Sequence, residues 1–266
     1  MRRIGHLGTL DPMATGVLPL VLGRSTRLAQ YFRANEKKYD VLVRFGITTD
    51  SYDREGTVMT TAPDYEVNRE ELEKLLGNFR GTFMQTPPAI SAKKVQGVPA
   101  YKLARKNAPV ELAPIEVTVY ALELVSGSKN MARVQIHCSA GTYVRSIAND
   151  LGQRLGCGAI VEQLRRTSSG DFDESQSHTL EDLDHLAEEG HLEKALIPAS
   201  QLLPQFPSEM VDALTAGQIR QGRDFRVSPF RTRAAEKFVK AVTSDGELVA
   251  IGEAKLPNVY HPVLVL

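Results

Sequence analysis

Between residues 36 and 47 the side chains Tyr39, Val41, Val43 and Phe45 fall on every second position, with charged or polar neighbours between most of them. That period of two predicts a half-buried strand. Residues 115–125 and 131–138 also read as strands, joined by a turn around Gly127. The period turns helical at residues 142–155, where Val144, Ile147, Leu151 and Leu155 share a face, and again at 68–76, with Asn68 as the cap. An apolar run over residues 17–22 suits a buried strand. Residues 86–99 make a loop rich in proline, glycine and lysine, followed by a short basic helix with Tyr101, Lys102, Arg105 and Lys106. Paired strands with intervening helices predict an α+β fold with a mixed, mainly antiparallel central sheet.

The pattern changes beyond Gly170. Thr179 opens a helix, with Asp182 at the capping-box position. Pro198, Pro204 and Pro207 punctuate a linker, a short helix is expected near residues 210–214, and strands are expected at 238–243, 248–253 and 263–266. Asp245-Gly246 is a hairpin signal between the first two of these. The expectation is a large domain over residues 1–200 and a small β-rich one over 201–266.

Composition narrows the class. Of 266 residues, 42% are hydrophobic and 24% charged, which is the balance of a soluble globular protein. No apolar run approaches the ~20 residues of a membrane span, and Met1-Arg2-Arg3 is not followed by a signal-peptide core, so a cytoplasmic location is expected. Cys138 and Cys157 make neither a disulfide framework nor a zinc pattern. His137 and Cys138 would point to opposite faces of a strand, so a packed thiol is expected there and no metal. Neither GxGxxG nor a P-loop is present, which argues against a nucleotide cofactor.

Charge is segregated along the chain. Residues 1–110 carry 17 Lys+Arg against 11 Asp+Glu, whereas residues 171–212 carry 1 against 11. The overall neutrality therefore averages a basic N-terminal half, suited to phosphates, and an acidic block.

The candidate chemistry centres on residues 5–23, GHLGTLDPMATGVLPLVLG, which set Asp11 in an apolar, glycine-rich frame. Asp11-Pro12 reads as a turn or a helix N-cap with proline at the first helical position. A carboxylate at such a junction is held by rigid elements and shielded from water, as catalysis requires.

This segment, followed in order by KKYDVLVRFGITTDSYDREG, TPPAISAKKVQGVPAYKLAR, HCSAGTYVRSIANDLG and QLRRTSSGDF, resembles the successive signatures of the TruB family of tRNA pseudouridine synthases. The resemblance covers about residues 3–172 and implies the pseudouridine synthase fold. More weakly, the remainder resembles the family's C-terminal PUA-like RNA-binding domain. The resemblance implies a cofactor-free, metal-free isomerase that converts uridine 55 in the T loop of tRNA to pseudouridine. It also implies a monomer that needs no protein partner. The family has a strand with a Lys-Pro-x-Gly motif upstream of the GH...LDP segment, whereas this sequence starts almost inside that segment; the expectation is either that Met1 is an internal or misassigned start, or that the protein is shortened, with an exposed strand edge and a less well supported site.

By the same resemblance Asp11 is the catalytic aspartate, acting either as nucleophile on the ribose or as base toward it. A free aspartate side chain, with a pKa of ~3.9, is ionised at neutral pH and ready for either task. Tyr39 is implied to stack on the target base and share in late proton removal; a phenol, ordinarily titrating near ~10, would need its surroundings to help. Tyr143 and Arg145 are implied to sandwich the base and pair with Asp11. His6 is implied to hold the RNA loop, Arg27 to lie near phosphate, and Leu164 to contact the uracil. The basic segment around residues 86–107 is implied to grip RNA. A uridine in a folded loop must leave its stack first, which an aromatic pocket offsets. Two alternatives are a non-catalytic tRNA-binding or RNA-folding protein on the same scaffold and a sibling synthase acting on another RNA.

Overall fold

The computed structural model describes residues 3–62, 64–91, 93–95, 97–100, 103, 112–228 and 236–266. The strands are β1 Ile4–His6, β2 Thr15–Gly16, β3 Leu20–Leu22, β4 Lys37–Phe45, β5 Ile47–Thr49, β6 Val58–Thr61, β7 Gly81–Gln85, β8 Lys94–Val95 and β9 Val98–Pro99. They continue as β10 Ile115–Ser128, β11 Met131–Cys138, β12 Ala159–Ser169, β13 Phe172–Asp173, β14 Ser208–Val211, β15 Phe225–Arg226, β16 Phe238–Thr243, β17 Leu248–Leu256 and β18 Val259–Val265. The α-helices are α1 Arg69–Gly77, α2 Val144–Arg154, α3 Leu180–Glu188 and α4 Ala213–Arg220, and Gly23–Phe32 is a 3₁₀ helix. Contacts divide the chain into two compact units. The larger holds Gly8–Pro19 and Phe32–Ser177; the smaller holds residues 3–7, Leu20–Tyr31 and His178–Leu266.

The larger unit is built on a seven-stranded sheet in the order β13-β12-β4-β11-β10-β7, with β2 added in parallel to β12. Every other pairing in it is antiparallel, so the mixed, mainly antiparallel α+β expectation holds. Alternation along β4 buries Val41, Val43 and Phe45 on one face. Val134 and Ile136 from β11 and Val161 and Leu164 from β12 join them, and Ile147 and Leu151 from α2 close the layer. At the start of α1 the Asn68 side chain accepts a hydrogen bond from the Glu71 amide, as the cap reading required.

Several expectations need correcting. Strand β10 runs through Gly127 to Ser128, so the turn lies at Lys129, whose φ is +52°, and Asn130. The apolar run at 17–22 is not a buried strand: only residues 20–22 are extended, in a hairpin with β1, where Val21 is buried and Leu20 exposed. Pro19 cannot donate to a ladder, which leaves room for only this short pairing. The basic helix expected at 101–106 falls largely outside the described residues.

The smaller unit has a five-stranded sheet in the order β14-β16-β17-β18-β15. Of the helix expected near 210–214, residues 210–211 belong instead to β14, parallel to β16, and the helix begins at Ala213 behind Asp212, whose side chain accepts from the Thr215 amide. The hairpin turn places Gly246 at φ +85°, where glycine is favoured. Thr179 and Asp182 form a reciprocal capping box at 3.0 and 2.7 Å. Among the described residues no helix is long and apolar enough to cross a membrane.

Candidate active site

Asp11 stands in a β-turn rather than at a helix start. The Ala14 amide donates to the Asp11 carbonyl at 2.9 Å, with Pro12 setting the first corner. The helical alternative fails because Thr15 and Gly16 pair with Arg165 and Arg166 of β12, and Gly16 has φ +95°. A side chain at Gly16 would put its Cβ 2.2 Å from the Arg166 carbonyl oxygen. The sheet therefore takes the chain just where a helix would have begun.

The carboxylate of Asp11 is gripped by Arg145, the second residue of α2. Arg145 Nε donates to Asp11 Oδ2 at 2.8 Å and Nη2 donates to Oδ1 at 2.7 Å, a two-point fork. The arginine side chain is only 5% exposed, whereas that of Asp11 is 29% exposed and so remains reachable. On its far side Arg145 Nη1 donates to the carbonyls of Ser51 and Ile90 and lies 3.4 Å from Asp53 Oδ2. Asp53 is itself buried, accepting from Ser51 Oγ at 2.6 Å and from the Glu55 amide at 3.1 Å. The guanidinium is thus anchored from behind and presents one edge to Asp11.

Tyr143 caps the same helix, and the buried Gln85 at the end of β7 fixes its backbone. The Tyr143 amide donates to Gln85 Oε1 at 2.8 Å, and Gln85 Nε2 donates to the Tyr143 carbonyl at 3.0 Å. Tyr143 is half-buried; burial raises its phenol, and the charge of Arg145 opposes this. Tyr143 senses the charge of Asp11 as well.

Tyr39 lies on β4, half-buried against the core, with Arg166 as its cross-strand partner. Burial pushes its phenol up to about 12, with the Arg166 guanidinium opposing and the Asp11 charge adding. At neutral pH it is a protonated phenol, so these surroundings do not help it act as a base. Leu164, 5% exposed, sits in the core beside Val41. Two strand positions further on, Arg166 is 1% exposed and spends all its nitrogens on carbonyls. Nε donates to Val17 at 2.8 Å, Nη1 to Thr9 at 3.2 Å and Nη2 to Gly8 at 3.0 Å. Beside it the buried Lys37 donates to the Asn35 carbonyl at 2.6 Å, its pKa lowered to about 8 by burial and by Arg166.

The larger unit therefore brings Asp11, Tyr39, Tyr143, Arg145 and Leu164 into one body. His6, at the end of β1, and Arg27, on the 3₁₀ helix, belong to the smaller unit. Arg27 donates to the Val265 carbonyl of β18. Sequence reasoning missed Asp53, Gln85, Lys37 and Arg166. Strand alternation held a clue to the last: with Leu164 inward and Arg165 outward, Arg166 must point inward. Among the described residues no cluster of His, Cys, Asp or Glu could hold a metal ion.

Likeness to known proteins shows that the fold is that of the pseudouridine synthases, a class of isomerases. A family model described as TruB family pseudouridylate synthase (N terminal domain) matches residues 1–144, and one described as tRNA pseudouridylate synthase B C-terminal domain matches residues 145–204. The chain belongs to the TruB family. A protein of Solibacter usitatus named tRNA pseudouridine synthase B is 57% identical over 265 residues, covering 100% of this chain and 90% of the relative. Proteins of the same name from Stutzerimonas stutzeri and Aquifex aeolicus are 42% and 38% identical, covering 94% and 96% of this chain and 82% and 86% of theirs. The fold is shared with the chain in a Cbf5-Nop10-Gar1 complex, with a TM-score of 0.69 at 24% identity over 99% of this chain and 76% of that one. It is shared too with a chain of an H/ACA RNP bound to a substrate RNA containing 2'-deoxyuridine, with a TM-score of 0.70 at 23% identity over 100% and 76%.

Proposed function

We propose that this enzyme isomerises uridine 55 in the T loop of tRNA to pseudouridine, with Asp11 as the nucleophile. The relatives' shared name supports tRNA as the substrate. The observation that carries the reading is the two-point grip of the buried Arg145 on the part-exposed Asp11. A carboxylate held this way has a fixed direction and keeps lone pairs on both oxygens for a further partner.

In this reading a carboxylate oxygen of Asp11 bonds to the ribose anomeric carbon while the bond from that carbon to uracil N1 breaks. The detached ring turns and its C5 displaces the aspartate. The C5 proton then leaves, and N1 ends protonated. Tyr39 and Tyr143 supply aromatic faces for the base outside its RNA stack. Leu164 contributes an apolar contact. His6, Arg27 and the basic segment 86–107 hold RNA, and the C-terminal β-rich domain adds a PUA-like surface for it.

Because C5 loses its hydrogen, tRNA tritiated at uridine C5 reports turnover as tritium in water. The wild-type chain releases it, and Asp11→Asn abolishes release while tRNA affinity stays nearly unchanged. Equal release from both proteins removes Asp11 from the chemistry. Tight binding by the wild type without release would leave a tRNA-binding protein instead.

A further inference from the structure

We infer that Arg166 is a positioning residue for the reaction, a buried staple that fixes both ends of the Asp11 segment. The inference rests on the reading of Asp11 as the reactive carboxylate. Residues 8–17 carry little regular structure: their only strand is the two-residue β2. Yet Asp11 must meet the Arg145 fork at 2.7 and 2.8 Å. One side chain reaches both flanks of Asp11, through Gly8 and Thr9 before it and Val17 after it. The backbone of the same residue completes the closure, since the Val17 amide donates to the Arg166 carbonyl at 2.8 Å.

Charge makes the arrangement informative. Among the described residues no carboxylate lies within ion-pair distance of this guanidinium, so three carbonyl dipoles and the Tyr39 hydroxyl, rather than a counter-ion, compensate it. A buried cation without a counter-ion is costly, and a neutral side chain could fill the same volume at lower cost. What a neutral side chain lacks is a planar fork that can bind three carbonyls at fixed angles. The neighbours show that the cation is felt: Arg166 lowers the pKa of Lys37 and draws that of Tyr39 down against burial. Arg166 thus joins the Asp11 turn to the Tyr39 strand through one planar group.

Arg166→Lys keeps the charge and loses the fork. We expect this variant to fold, to bind tRNA within about threefold of wild type, and to lose roughly 100-fold in single-turnover rate, the scale of a small misplacement of a reacting group. A folded Arg166→Lys protein with wild-type rate overturns the inference, and so does one whose loss lies wholly in tRNA affinity. The wild-type protein gives a test that needs no variant to fold: the Arg166 Nε–H resonance should exchange with solvent far more slowly than those of exposed arginines, and fast exchange overturns the staple. Asp11→Asn assayed alongside separates the two claims. Release that survives in Asp11→Asn removes the reading of Asp11, whereas loss there with full activity in Arg166→Lys removes only the staple.

Discussion

Gln85 and Tyr143 exchange two hydrogen bonds, at 2.8 and 3.0 Å, so that a buried amide on a strand end fixes the backbone from which α2 and Arg145 start. The Tyr143 carbonyl also accepts from the Ile147 amide, but among the described residues the Tyr143 amide donates only to Gln85. Gln85→Leu strands that donor in the interior and should cost about 1–3 kcal/mol. Urea unfolding measures it; an unchanged midpoint would show that the amide finds another partner.

Arg145 lies between two carboxylates, with Asp11 at 2.7 Å and Asp53 at 3.4 Å. Arg145→Met leaves both without a cation and should destabilise the protein by about 3–5 kcal/mol, in addition to ending tritium release. Arg145→Lys restores charge without the fork, so it should recover much of the stability and little of the rate. Equal recovery of both would show that charge alone suffices.

Much of this arrangement was legible in the sequence, and the failures share a cause. The period-two pattern of β4 and the helical spacing of α2 are local signals that burial then obeyed. Asp11-Pro12 carries a local signal for both a turn and a helix start, and the choice is made by β12, some 150 residues away, which captures Thr15 and Gly16. The helix expected from residue 210 begins only at Ala213 for a similar reason, because pairing with β16 holds residues 208–211 in a strand. Arg166 and Asp53 were missed because composition places charged residues outside, and only their buried partners explain them inside.

Gly16 tests the β12 capture directly. Gly16→Ala meets the Arg166 carbonyl oxygen at 2.2 Å and a φ of +95°, whereas Gly81→Ala meets a φ of +90° with nothing within 4 Å. We expect the first to cost roughly 2–5 kcal/mol and the second about 1 kcal/mol. Equal shifts in the denaturation midpoint would show that backbone strain, not the close approach to β12, sets the cost.

Lys37 gives a pH signature. Its folded pKa of about 8 lies below the ordinary lysine value of 10.5, so between these the unfolded chain binds more protons and this residue makes stability rise with pH. Below about pH 8 its buried charge is a cost that fades as pH approaches 10.5. The melting temperature of wild type relative to Lys37→Met should therefore climb between pH 7.5 and 10. A constant difference would mean that Lys37 titrates normally.

Conversion of one tRNA uridine by Asp11 is tested most directly by carbodiimide modification followed by primer extension on an unmodified tRNA transcript incubated with the enzyme. Wild type should produce a single reverse-transcription stop reporting pseudouridine at position 55, and Asp11→Asn should produce none. A stop at another position, or the same stop with Asp11→Asn, would contradict it.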